Sequence, residues 1–163
     1  MDAQYELGNC YEQGIGSPEK LGEAINWYHK AAEQGNTDAQ LSLGHCYKNG
    51  KGVDIDLEEA IKWYRKAAEQ GNAKAQCVLG ALYEKGDGVH LNLENAISWY
   101  RKAAEQGYAN AQFKLGLCYK DGKGVPADIF KSQMWLKKAA AQHHYFAQQV
   151  LNGNETPWKF GRH

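Results

Sequence analysis

No stretch of the 163-residue sequence approaches the roughly 20 consecutive apolar residues of a membrane-spanning helix, and no charged-then-apolar leader precedes the first periodic segment. No sign of charge prevails: 19 lysines and arginines stand against 19 aspartates and glutamates, mixed along the chain, for a formal net charge of zero. Such a chain has no long-range pull toward nucleic acid or an anionic surface, so neither nucleic acid nor direct membrane insertion is expected. Alternation with a period of two is missing over any useful length, which argues against a β-sheet.

What is present instead is a longer period. Alanine–glutamine pairs stand at Ala3-Gln4, Ala39-Gln40, Ala75-Gln76, Ala111-Gln112 and Ala147-Gln148, thirty-six residues apart every time. The same spacing recovers Leu7-Gly8, Leu43-Gly44, Leu79-Gly80 and Leu115-Gly116, then Tyr11, Tyr47, Tyr83 and Tyr119, then Trp27, Trp63, Trp99 and Trp135. A fixed period of this length marks stacked copies of one supersecondary unit, each completed by its neighbours because it cannot bury its apolar face alone. The expected organisation is one array over residues 1–163: repeats at 3–38, 39–74, 75–110 and 111–146, then a partial C-terminal capping helix and tail at 147–163.

Each copy reads as two helices. In the second, Ala39, Leu43, Cys46 and Tyr47 form one stripe of a 3.6-residue period, helix A, which stops at Gly50-Lys51-Gly52. Asp56 and Glu59 then open helix B as cap and third helical residue, and Ala60, Trp63, Tyr64, Ala67 and Ala68 make a wider buried stripe. Asn92 and Asp128 hold the cap position in later copies, where Lys20 is a poor substitute in the first. Gly44 and Ala60 permit close helix approach while Trp63, Tyr64 and Tyr47 fill the space between repeats. The expected fold is an all-α solenoid of αα-hairpins with a gentle superhelical curve and no β-sheet.

The arrangement A-Q-x-x-L-G-x-x-Y-x-x-G-x-G-V at residues 39–53, followed by A-x-x-W-Y-x-K-A-A-E-Q-G at 60–71, resembles the Sel-one-like repeat, a relative of the tetratricopeptide repeat. The resemblance covers roughly residues 1–151. It implies a right-handed superhelix of αα-hairpins, and a scaffold or adaptor that binds other proteins or peptides without catalysis or cofactor. The pattern weakens where His143-His144 replaces the Gly-Asn of Gly35-Asn36 and Gly71-Asn72, and where Asn152 replaces the Gly8-type residue. That is the look of a C-terminal cap. At the other end the chain begins directly inside helix A, which reads as a fragment of a longer protein.

Four cysteines do not make a disulfide framework here. Cys10, Cys46 and Cys118 share one register position, and equivalent residues of neighbouring repeats stand about 8–10 Å apart, beyond the roughly 7 Å a disulfide tolerates. The expectation is four reduced thiols, leaning toward an intracellular protein. In cysteine-rich secreted relatives of the resembled family, paired cysteines clip each hairpin where this chain has Ala68 and Ala75, so that feature does not carry over.

Other chemical motifs are thin. Gly14-Ile15-Gly16 and Gly50-Lys51-Gly52 follow helices rather than strands and lack the third glycine of a phosphate loop. No histidine spacing sets two on one helix face with a carboxylate, so no metal is expected. Ser17-Pro18-Glu19-Lys20 matches the serine-x-x-lysine signature of penicillin-recognising enzymes, but Ser-Asp-Asn and Lys-Thr-Gly are missing. A β-lactam-binding relative is therefore the remote alternative. Asn154-Glu155-Thr156 is a glycosylation acceptor only in a secreted eukaryotic protein.

A surface to bind with remains. In tetratricopeptide-like solenoids helix A lines the concave side. Counted from the recurring leucine, offset −2 reads Tyr5, Leu41, Cys77 and Phe113, and offset +2 reads Asn9, His45, Ala81 and Leu117. Offset +5 reads Glu12, Lys48, Glu84 and Lys120, and offset +6 reads Gln13, Asn49, Lys85 and Asp121. These rows vary between copies while the packing positions do not. They predict a groove with an exposed apolar floor of Tyr5, Leu41, Phe113 and Leu117 flanked by mixed charges, suited to a peptide or protein partner. The alternative is self-association through the terminal repeats, driven by the bare first helix and by Trp158-Lys159-Phe160.

Overall fold

A computed structural model of the chain describes residues 3–14 and 20–153. It contains α1 (Ala3–Gln13), α2 (Leu21–Glu33), α3 (Thr37–Asn49), α4 (Leu57–Glu69), α5 (Ala73–Lys85), α6 (Leu93–Glu105), α7 (Ala109–Asp121), α8 (Ile129–Ala141) and α9 (Tyr145–Leu151), with no strand among the described residues. The odd-numbered helices are helix A of successive repeats and the even-numbered ones helix B. The fold is all-α, built of αα-hairpins.

Local chemistry sets the helix ends. Asp56, Asn92 and Asp128 cap α4, α6 and α8, their side chains accepting from the backbone N–H of Glu59, Asn95 and Lys131 at 2.9 Å. Lys20, preceding α2, makes no such bond. Asn36 and Asn72 cap α3 and α5 through Ala39 and Ala75 at 2.8 and 3.0 Å. Where the last repeat carries His143-His144, the first histidine takes the left-handed conformation (φ 61°) that glycine holds at Gly35 and Gly71. The second caps α9, its Nδ1 accepting from Ala147 N–H at 3.2 Å. The histidine pair therefore keeps both local roles of Gly-Asn.

The alanine–glutamine pair has a physical reason. Each alanine is wholly closed off at Ala39, Ala75, Ala111 and Ala147, leaving no room for a larger side chain. Each glutamine amide donates to a carbonyl in the last turn of the preceding helix B, as the carbonyl's second hydrogen bond beside one from the following turn: Gln40 to Ala32, Gln76 to Ala68, Gln112 to Ala104 and Gln148 to Ala140, at 3.0 to 3.3 Å. The recurring glycine of helix A is equally constrained. A Cβ on Gly44 would sit 2.4 Å from the ring of Tyr64, and one on Gly80 would sit 2.6 Å from that of Tyr100.

Contacts divide the chain into two compact units, Met1–Leu79 and Gly80–His163, the division falling inside α5. In the first, α1 packs on α2, α2 on α3 and α3 on α4, around a core that includes Ile25, Tyr28, Leu43, Cys46 and Trp63. Trp63 is thus a buried plug against the first repeat, as its register predicts. In the second, α6 packs on α7, α7 on α8 and α8 on α9, around Phe113, Leu136, Ala139, Ala147 and Val150. All four repeating tryptophans carry a lysine three residues on whose Nζ lies 4.0 to 4.4 Å from the ring centroid: Lys30, Lys66, Lys102 and Lys138.

The helix-B face that is isoleucine in three repeats turns polar in the fourth. Ile25, Ile61 and Ile97 are buried, whereas Gln133 in the same register is exposed. Trp158-Lys159-Phe160, Asn154-Glu155-Thr156 and most of Ser17-Pro18-Glu19-Lys20 lie outside the described residues.

Candidate functional site

Buried tyrosine hydroxyls organise the helix-A faces. Tyr28, Tyr64 and Tyr100, one from each of the first three helix-B segments, have no exposed surface, and each passes over its repeat's glycine toward helix A. There the hydroxyl meets a polar side chain from the variable rows. Tyr28 donates to Asn9 Oδ1 at 2.9 Å and to the Glu12 carboxylate. Tyr64 is hydrogen-bonded to His45 Nδ1 at 3.0 Å, and Tyr100 donates to Glu84 at 2.7 Å. In the fourth repeat helix B carries Leu136 instead of tyrosine, and the offset +2 residue is Leu117, half-buried against the same core.

Each unit holds the same ionic motif. In the first, Lys51 of the Gly50-Lys51-Gly52 turn lies 2.8 Å from Glu12. In the second, Lys123 of Gly122-Lys123-Gly124 lies 2.8 Å from Glu84, and Lys114 of α7 approaches the other carboxylate oxygen at 3.4 Å. Burial pushes both carboxylates up, but the lysine and tyrosine hydrogen bonds and the neighbouring positive charge outweigh it, and both rest below the usual glutamate value. Burial, and next the Glu12 hydrogen bond, drive Tyr28 well above the usual phenol range.

Around Glu84 the surface opens into a recess of about 270 Å³, between the end of α5 and α7. Lys85, Lys114 and Lys123 supply its positive rim, Glu84 and Asp121 its negative groups, and Leu117 and Cys118 its apolar wall. Burial raises the Cys118 thiol to about 11, so it serves as a small apolar surface rather than a nucleophile.

The predicted floor requires correction. Leu41 and Phe113 are buried, at 8 % and 6 % exposure, so they do not form an exposed row. Phe113 is stacked on His144, ring centroids 4.5 Å apart, beneath Phe146. For Phe113 the cover comes from α9 and its cap, so this offset −2 residue belongs to packing. Tyr5 and Cys77 are half-buried, and Tyr5 leans on Tyr28 with centroids 5.8 Å apart. His45, Asn49, Lys85, Lys120 and Asp121 remain exposed, with Lys48 and Leu117 half-buried. Of the predicted residues, Glu84, Lys85, Leu117 and Asp121 come together at one recess. Sequence reading missed Lys114 and Lys123. For Lys123 the signal was a double period, Glu12 recurring as Glu84 and Lys51 as Lys123; Lys114, whose counterpart is Ser42, had none.

All four cysteines are free. Gly50 and Gly52 both have positive φ (67° and 75°), the backbone of a tight turn between helices. Among the described residues no helix is long and apolar enough to cross a membrane.

The Sel1 repeat profile matches residues 2–36, 37–72, 73–108 and 109–144, which together make up most of the chain. A protective antigen of uropathogenic Escherichia coli strains, displaying an SLR fold, is similar at 41% identity and a TM-score of 0.88 over 91% of this chain and 32% of its own. A Sel1 repeat protein from Oxalobacter formigenes is similar at 38% identity and a TM-score of 0.87, over 91% of this chain and 60% of its own. Helicobacter pylori cysteine-rich protein B follows at 25% identity and a TM-score of 0.65, over 81% and 95%. No curated protein matches. The chain thus spans about a third and three-fifths of the lengths of the first two relatives. It belongs to the Sel1 repeat family of all-helical solenoid proteins, whose members are generally protein-interaction scaffolds and typically non-catalytic.

Proposed function

We propose that this chain is a non-catalytic adaptor, its repeats acting as one array, which binds an extended or helical peptide of a partner protein on its helix-A faces. The recess around Glu84 is the observation that carries this reading. Three lysines and two carboxylates line it, an excess of one positive charge beside the Leu117 wall. An acidic ligand residue next to an apolar one fits that arrangement: the acid is drawn to Lys85, Lys114 and Lys123, and the apolar side chain packs on Leu117. Lys120, exposed on the same helix next to Asp121, extends the contact beyond the recess.

Affinity capture from the source cell tests the reading, with wild type compared against Leu117→Glu and Lys85→Glu. A partner retained by wild type and lost by both variants, each still folded by circular dichroism, supports the recess. A partner that binds all three equally places recognition elsewhere.

A further inference from the structure

The last helix-B segment departs from its siblings on the face turned away from the core. α4 carries Glu58, Glu59 and Glu69 against Lys62, Arg65 and Lys66, and α6 carries Glu94 and Glu105 against Arg101 and Lys102, so both are formally neutral. α8 carries Lys131, Lys137 and Lys138 and no acidic residue, a formal charge of +3. Large apolar residues stand where its siblings are polar. Phe130 occupies the register of Glu58 and Glu94, and Met134 that of Lys62 and Ser98. Phe130 is 83 % exposed, Ile129 56 % and Met134 43 %.

A helix face open to water gains nothing from such replacements. Phe130, Met134, Lys138 and Ala141 fall at i, i+4, i+8 and i+11, so they form one stripe, apolar toward the N-terminal end and basic, then small, toward the other. We infer that the outer face of α8 is a second docking surface, separate from the helix-A recess, and that it takes an amphipathic helix of a partner protein with apolar and acidic residues. Charge complementarity and helical spacing both point to that occupant. An anionic membrane fits less well. With Lys131 paired with Asp128 at 3.1 Å, Lys137 and Lys138 remain, fewer than the cluster of basic groups an anionic surface needs but enough to match one or two carboxylates of a peptide helix.

The test uses a fluorescein-labelled amphipathic peptide of about 18 residues, five helical turns, with leucines on one face and glutamates on the other. A counterpart with lysines for the glutamates and a scrambled sequence are the controls. The protein variant is Phe130→Glu with Met134→Lys, which gives α8 the residue types α4 holds at those positions and so retains the fold; circular dichroism and melting check this. The expected result is binding of the acidic peptide to wild type, weakened about tenfold or more in the double variant, with hydrogen-exchange protection confined to residues 129–141. Equal binding by wild type and variant, equal binding of the lysine peptide, or no binding above the scrambled control overturns the proposal. So does retention of wild type alone on phosphatidylserine vesicles without peptide binding, which assigns the face to membrane. A wild-type dimer in sedimentation that the double variant abolishes, again without peptide binding, assigns it to a second copy and equally overturns the proposal.

Discussion

The hydroxyl of Tyr100, whose side chain has no exposed surface, donates to the carboxylate of Glu84 at 2.7 Å. A hydroxyl removed from water has to be bonded, so each helix-B tyrosine demands an acceptor on helix A of its own repeat. Asn9 with Glu12, His45 and Glu84 are three answers to one requirement, and the repeat with Leu136 in place of tyrosine makes no such demand. Variation between copies at these positions is therefore constrained by polar satisfaction as well as left available for binding.

Replacing Glu84 by alanine takes away the acceptor of that hydroxyl and the carboxylate that Lys114 and Lys123 pair with, and the expected loss is about 1–3 kcal/mol of stability. Tyr100→Phe removes the hydroxyl itself and is expected to cost less. In the double variant the hydroxyl–carboxylate bond is lost once rather than counted twice, so its loss should fall short of the sum of the two. A thermal-denaturation double-mutant cycle measures this, and strict additivity would show that the bond carries no coupling.

Stability should also depend on pH through Glu12 and Glu84. Both have folded-state values depressed below the ordinary 4.5, so the unfolded chain takes up protons first as pH falls. The stabilisation is fully present above that value and is lost as pH drops through the lower folded values. Melting temperature should thus decline below about pH 4.5 in wild type, and more shallowly in Glu12→Gln/Glu84→Gln. Parallel pH profiles would remove the two carboxylates from the account.

Helix order, caps and the plug role of Trp63 were legible in the sequence because they depend on spacing within one repeat. The burial of Phe113 was not, because its cover comes from α9 and its cap, and a helical wheel drawn for one hairpin leaves that side open; Leu41 is buried in the same register. The recess was half legible. Glu84, Lys85, Leu117 and Asp121 lie in the variable rows, but Lys123 reaches Glu84 from a turn thirty-nine residues away. Only the double period linking Glu12 and Lys51 to Glu84 and Lys123 hinted at that pairing.

Phe113→Ala is accordingly expected to destabilise on the scale of Trp63→Ala, each losing roughly 3–5 kcal/mol, since the two side chains are equally buried at 6 %. Leu117→Ala, half-buried at the recess, should cost clearly less. Chemical denaturation ranks the three. A Phe113 variant that melts like wild type would return that residue to the binding surface.

The thiols should be reduced, and slow to react where they are buried. Burial pushes Cys46 and Cys118 up to about 11, so little thiolate is present at neutral pH. Titration in denaturant without reductant should count all four cysteines, and native alkylation should modify Cys46 and Cys118 last. A denatured count of two would mean that a disulfide forms.

His144 offers the sharpest test of the capping argument. Its Nδ1 accepts from Ala147 N–H at 3.2 Å, its ring stacks on Phe113, and burial holds its titration below the ordinary 6.5. Protonation puts a hydrogen on Nδ1, which then has no lone pair to cap α9, and sets a positive charge at a helix N-terminus. Because the folded-state value is depressed, the contribution is intact above pH 6.5 and fades as pH falls through the folded value. His144→Asn supplies the cap that Asn36 and Asn72 provide elsewhere, without a titrating ring. The variant should keep α9 protected from hydrogen exchange at pH 5, where wild type loses protection in residues 145–151. Equal exchange in the two proteins across that range would mean that packing of Ala147 and Val150, and not the cap, holds the helix.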